Sequence, residues 1–371
     1  MSLEFEEYRL DDVGTDPALD PGGLLRQAAS AGAQVRQAAS AASEAGLSAL
    51  AEEGRPRSVV VVGTGAAAFA GEVLAVLLGN GCPVAVHTVE GYRLPGWVGG
   101  HDLVIAVAAT SGQESAGTAR VAAEAVRRGS RFLAVGPQGG PLAGIAEQAR
   151  APYVALPLAG EPRAMLWALV VPLLLAVGRI GVRTVPEEDV EATAVLLEDV
   201  AHRCRPTAET FANPAKSLAL SLAGTLPMAW GATPVAALAA RRLASQLAAN
   251  ARYPALAGST PGIAWDQTAT LTGPLGASGP RSIFDDPVEG GGARLRLVLL
   301  RDDQATSEED ADLAAAERRA EEAGVPVSEV SAQGRGPMER LASLIALTDY
   351  ASLYLAVAYA AEPLTNTLVV R

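Results

Sequence analysis

Ser58-Val-Val-Val-Val62-Gly63-Thr64-Gly65-Ala66-Ala67-Ala68 decides the fold. Four consecutive valines are a short, uniformly apolar run, as expected of a strand buried on both faces. Two glycines then turn the chain tightly into an alanine-rich helix, whose first N–H groups are unpaired and face an anion readily. The pattern Gly-x-Gly-x-x-Ala also suits a dinucleotide site or a purely structural turn.

Outward from this stretch the same grammar repeats. Apolar runs occur at Pro83 to Val89, Leu103 to Ala109, Arg131 to Val135 and Pro152 to Leu156. Helical stretches at 66–79, 114–128 and 141–149 lie between them, and helices at 163–181 and 187–204 follow. Strands alternating with helices predict a parallel α/β sheet with right-handed crossovers. Upstream, residues 22–53 read as one helix after an irregular leader. The second half offers strands at Leu226 to Trp230, Leu295 to Arg301 and Val325 to Val330, and helices at 234–250, 307–323 and 337–361. Ser307 and Asp310 suggest a helix cap. Ala255 to Gly292 reads as loop. This half looks like a degenerate copy of the first.

Composition narrows the function classes. The 371 residues are 49% hydrophobic but only 4% aromatic, so the core is built mainly of Ala, Val and Leu. The net charge is −12, and Lys216 is the sole lysine, which argues against a nucleic-acid partner. Cys82 and Cys204 set up neither a disulfide framework nor zinc spacing, and His87, His101 and His202 are too few for a histidine metal site. No metal and no cofactor are expected. The apolar stretch Ala164 to Gly178 is shorter than the about 20 residues of a membrane span and contains Pro172. The acidic N-terminus lacks a signal-peptide layout. A soluble, cytoplasmic protein with no membrane partner is expected. Helix 163–181, apolar around most of its circumference, needs cover from a second domain or another subunit.

Ligands of open parallel sheets bind outside the carboxyl ends of the strands. Two loops there carry the candidate residues. The first supplies Gly63, Thr64 and Gly65. The second, Ala109-Thr110-Ser111-Gly112-Gln113-Glu114-Ser115-Ala116-Gly117-Thr118, places four hydroxyls within nine residues at a strand end and helix start. Such a loop suits a phosphate cradle, because hydroxyls donate alongside backbone N–H groups. Ordinary N-capping by one Ser or Thr is the plainer alternative.

These loops, in this order, resemble a sugar isomerase (SIS) domain. The whole chain resembles the bifunctional phosphoglucose/phosphomannose isomerases, which carry two such domains in tandem. Gly63 to Ala68 stand where that family has Gly-Met-Gly-Gly-Ser-Gly, and Ala109 to Glu114 where it has Ser-Tyr-Ser-Gly-Asn-Thr. Glu161-Pro162-Arg163-Ala164 matches its Ala-Pro-Arg-Ala, and Tyr354 through Leu364 its last helix and Asp-Pro segment. The resemblance implies two tandem SIS-type, doubly wound (flavodoxin-like) parallel-sheet domains. Residues 1–57 form a leader and helix, 58–205 the first domain and 206–371 the second. It further implies a homodimer, a sugar-phosphate ligand held by the two loops and Arg163, and interconversion of glucose or mannose 6-phosphate with fructose 6-phosphate.

The departures concern catalysis. The family's base glutamate lies in Asn-Glu-Asn-Ala-Lys, whereas this chain has Ala248-Ala249-Asn250-Ala251-Arg252, with alanine at the base position. The family's ring-opening histidine aligns near Ile263 to Asp266, and no histidine follows His202. The family serine of the first loop is Ala67, and its closing threonine aligns with Glu114 unless a longer loop puts Ser115 there. Asp266 and Glu209 are candidate replacement bases. A non-catalytic sugar-phosphate binder therefore stands beside the isomerase. An NAD-dependent dehydrogenase is a third reading, drawn from Gly63-x-Gly65 and from Glu90, 27 residues after Gly63 against a usual spacing of about 20.

Overall fold

A computed structural model of the chain describes residues 4–20, 22–52, 54–112, 115–276 and 294–362. In chain order the helices are α1 (Arg9–Asp12), α2 (Leu24–Ala29), α3 (Ala31–Glu44), α4 (Ala66–Leu78), α5 (Ala116–Arg127), α6 (Ala143–Ala149), α7 (Leu166–Arg179), α8 (Glu187–Arg203), α9 (Pro214–Leu222), α10 (Pro234–Ala251), α11 (Ser307–Glu322) and α12 (Pro337–Ala358). The strands are β1 (Ser58–Val62), β2 (Ala85–Val89), β3 (Leu103–Val107), β4 (Arg131–Pro137), β5 (Tyr153–Leu156), β6 (Thr225–Gly231), β7 (Leu256–Ser259), β8 (Arg294–Arg301) and β9 (Val327–Ser331). The described residues divide into two compact units, one spanning 29–198, the other residues up to 28 together with 199–362.

In the first unit five parallel strands run in the order β2-β1-β3-β4-β5. β1, β3 and β4 are buried along their whole length, as uniformly apolar runs should be, while the edge strand β2 mixes half-buried and exposed residues. Side chains alternate between faces. Val60, Val62, Val104, Ala106, Phe132 and Ala134 pack with Val121, Ala122 and Ala125 of α5 and with Ala146 of α6. The opposite face meets α4, where Gly71 lies so close that a Cβ there would stand 2.8 Å from the Val61 Cβ. Helices on both faces make the unit doubly wound.

The apolar circumference of α7 finds its cover inside this unit, against α3 and α4. The helix therefore gives no reason to invoke a second subunit, contrary to the expectation from its sequence. The leader also differs from the single helix expected over 22–53. It breaks into α2, α3 and a 3₁₀ turn at Leu47–Ala51, and the second of these breaks is made by Gly46, whose left-handed φ of 68° ends α3.

The second unit carries four parallel strands in the order β7-β6-β8-β9, the same winding less one strand. Met228, Trp230, Leu295, Leu297 and Leu299 pack on one face with Leu313, Ala316 and Ala320 of α11. α10 lies against β6 and β7, and α12 packs on α9 and α10. α12 is the one described helix long and apolar enough to cross a membrane, and it is mostly buried in the core of this unit. β7 lies inside the stretch read as loop, and the cap of α11 is a Thr306–Glu309 capping box, one residue earlier than expected.

Candidate functional site

Both candidate loops lie at the carboxyl edge of the first sheet. β1 pairs with β2 so that Val62 faces Val89, and with β3 so that Val62 faces Ala106. The loop after β1 is thus flanked by the loops that leave β2 and β3.

The first loop needs both of its glycines. A Cβ on Gly63 would stand 2.8 Å from the Ala67 Cβ and 2.9 Å from its backbone carbon, so only glycine lets α4 start this close to the strand. Gly65, the residue before α4, has φ 55° and ψ −121°, a conformation that L side chains rarely adopt. Its N–H donates to Glu90 Oε1 at 3.0 Å. The Gly63 N–H donates to the Val89 carbonyl at 3.3 Å, and the Ala67 N–H to the Thr64 carbonyl at 3.1 Å. Much of the loop's donor capacity is therefore already engaged. In the sequence, Glu90 bears only on the NAD-dependent dehydrogenase reading, through its spacing from Gly63.

The second loop is organised by two hydroxyls. Ser115 Oγ donates to the Thr110 carbonyl at 2.7 Å and lies 3.3 Å from Thr110 Oγ1. A hydroxyl has one proton. Because that of Ser115 is directed at the carbonyl, the contact between the two hydroxyls is Thr110 donating to Ser115. Thr110 Oγ1 also accepts the Gly112 N–H at 3.4 Å, and the Ser115 N–H donates to the Gly112 carbonyl at 3.1 Å. Ser111 and Gly112 are exposed, Thr110 is half-buried, and Ser115, the residue before α5, is buried. Thr118 is buried in α5. Gln113 and Glu114 lie outside the described residues.

Tyr92 borders this loop. A Cβ on Gly117, in the first turn of α5, would stand 3.0 Å from the Tyr92 ring, which is itself 63% exposed. Arg93, next to it, is also exposed. Nothing in the residue pattern flagged Tyr92, since contact with Gly117 depends on how the chain folds back after β2. Arg163 lies in a 3₁₀ turn, Pro162–Ala164, between β5 and α7, and stands 3.5 Å from Glu161.

The other residues singled out from sequence lie elsewhere. His87 is exposed on β2 and packs edge-on against Trp97, with ring centroids 5.0 Å apart. In the second unit Ala249 is half-buried near the end of α10, and the neighbouring Asn250 Nδ2 donates to Ser352 Oγ at 2.8 Å. Asp266 is exposed and accepts the Gln267 N–H at the start of a 3₁₀ turn; Glu209 is exposed before another. Among the described residues no three His, Cys, Asp or Glu side chains gather to hold a metal ion.

Residues 211–370 match the bacterial phospho-glucose isomerase C-terminal SIS domain. The chain is 26% identical over 305 residues to a bifunctional phosphoglucose/phosphomannose isomerase of Caldicellulosiruptor bescii, covering 82% of this chain and 85% of that protein. Its fold is similar to that of a hypothetical protein from Thermus thermophilus (TM-score 0.60, 14% identity, 96% and 94% of the two chains). It is also similar to that of tagatose-6-phosphate ketose/aldose isomerase from Escherichia coli (TM-score 0.59, 15% identity, 92% of each chain). With two parallel sheets wound in the same order and an SIS domain matched over residues 211–370, this chain resembles the bifunctional phosphoglucose/phosphomannose isomerases.

Proposed function

We propose that this chain is a phosphosugar isomerase-like protein that binds a hexose 6-phosphate at the carboxyl edge of its first sheet. The paired hydroxyls of Thr110 and Ser115 carry this reading. Ser115 spends its proton on the Thr110 carbonyl and so fixes the turn. The Thr110 proton, held only by a 3.3 Å contact, is the one free to swing to a phosphate oxygen. The exposed Ser111 adds a further donor beside it. Gly63, Thr64 and Gly65 form the opposite wall, Gln113 and Arg163 belong to the cradle by the family pattern, and Thr118 belongs to it as the last of the loop's four hydroxyls. Assembly as a homodimer in the cytoplasm is part of the same reading.

An aldose–ketose interconversion needs a base that removes a proton beside the carbonyl and returns it to the neighbouring carbon. Ala249 cannot do so, and this observation favours a second reading, a sugar-phosphate binder without turnover that regulates a partner. A coupled assay with glucose, mannose and fructose 6-phosphates separates the two, since only the first predicts conversion above background. Binding itself is tested by Thr110→Ala, which should weaken fructose 6-phosphate by about tenfold, one charge-assisted hydrogen bond. Thr110→Ser should keep most of the affinity. Unchanged binding in the alanine variant contradicts the cradle.

A further inference from the structure

Glu90 lies at the carboxyl end of β2 and turns its carboxylate onto the first loop, where Oε1 accepts the Gly65 N–H at 3.0 Å. That N–H belongs to the residue before α4, where an anion would otherwise gain from the helix's partial positive charge. The place is thus already taken by a negative side chain. A phosphate brought to the same loop would meet like charge. A carboxylate is an acceptor only, so what it welcomes is a hydroxyl donor.

The hydroxyl-rich loop after β3 instead presents the Thr110 hydroxyl, with Ser111 exposed beside it. β2 and β3 flank β1 on opposite sides, so the two loops stand about two strand spacings, or roughly 10 Å, apart. That span accommodates one hexose lying across the end of β1, with a phosphate at Thr110 and free hydroxyls at Glu90. We infer that Glu90 is a specificity-determining residue that sets the direction of the ligand. It admits the hydroxyl end of a sugar monophosphate and turns away a second phosphate at that end. The inference rests on the sugar-phosphate reading above and narrows the substrate class to monophosphates. Sugars that carry a second phosphate at that end are excluded.

The test compares fructose 6-phosphate with fructose 1,6-bisphosphate by calorimetry on the full chain, its Glu90→Gln variant and its Glu90→Asp variant. Gln keeps an oxygen acceptor for the Gly65 N–H while removing the charge, and the thermal midpoint checks that each variant is folded. The chain as it stands should prefer the monophosphate by at least about tenfold. Glu90→Gln should narrow that preference to roughly threefold or less by tightening the bisphosphate, and Glu90→Asp should keep the preference. Two sugars that bind with a ratio Glu90→Gln does not change would overturn this inference while leaving the sugar-phosphate reading intact. Binding of neither sugar would overturn both.

Discussion

Asp102 closes the amino end of the first sheet, opposite the cradle. Its side chain is fully buried, with Arg57 at 2.6 Å, the Ser58 hydroxyl at 2.8 Å and the Gly99 N–H at 2.9 Å. Burial pushes the carboxyl up, but the bonds from Arg57, Gly99 and Ser58 outweigh it and leave the group below the usual carboxylate range. A carboxylate lowered in the folded state stabilises fully above its unfolded value, about pH 4, and the contribution fades as pH falls through the lower folded value. Asp102→Asn should therefore lose roughly 1.5–3 kcal/mol at neutral pH, the cost of charge-assisted bonds. Below about pH 4 the gap to the parent chain should close, which urea melts across pH would show. None of this was legible in the sequence, where Arg57 and Asp102 are merely two charges among many. Lys216 teaches the same lesson. The sole lysine stood out by count, yet only the fold shows it buried, donating to the carbonyls of Pro206 at 2.8 Å and Ala208 at 2.6 Å. Burial pushes its amine below the usual lysine range.

At the scale of elements, the strand-to-helix turn after β1 is the tightest constraint on the cradle. Gly63→Ala should cost about 1–3 kcal/mol, because the new Cβ meets the Ala67 backbone and overpacking cannot relax there. Gly65→Ala meets nothing within 4 Å, so its cost of about 1–3 kcal/mol comes from backbone strain alone. Thermal melts of the two variants should both fall, with fructose 6-phosphate affinity falling too in Gly63→Ala, where α4 is displaced. These glycines were legible, as were β1, β3 and β4, because a buried parallel strand writes itself as an unbroken apolar run. β7 was not, since Leu256-Ala-Gly-Ser259 contains no such run and its pairing with β6 is set by the sheet. α9 was missed for a similar reason. It is a short helix started by Asn213, whose side chain accepts the N–H groups of Ala215 and Lys216. The site divides the same way: the hydroxyl loop announced itself by spacing, whereas Glu90 on Gly65 and Tyr92 on Gly117 are long-range contacts that spacing cannot encode.

For the molecule as a whole, two sheets of like winding carry a hydroxyl-rich loop in one half and, in the other, alanine at position 249, where the resemblance implies a base. Composition explains part of this drift. A chain with one lysine readily carries arginine where the family has lysine, as at Arg252. Alanine at position 249 is different, since the chain holds 41 acids and places none there. The central claim is therefore recognition of the phosphate, ahead of any turnover. Isothermal titration of the chain with fructose 6-phosphate against unphosphorylated fructose tests it most directly. Two charge-assisted hydrogen bonds to phosphate predict that the ester binds about 100-fold tighter than the free sugar. Equal affinity for the two, or heat from neither, would contradict it.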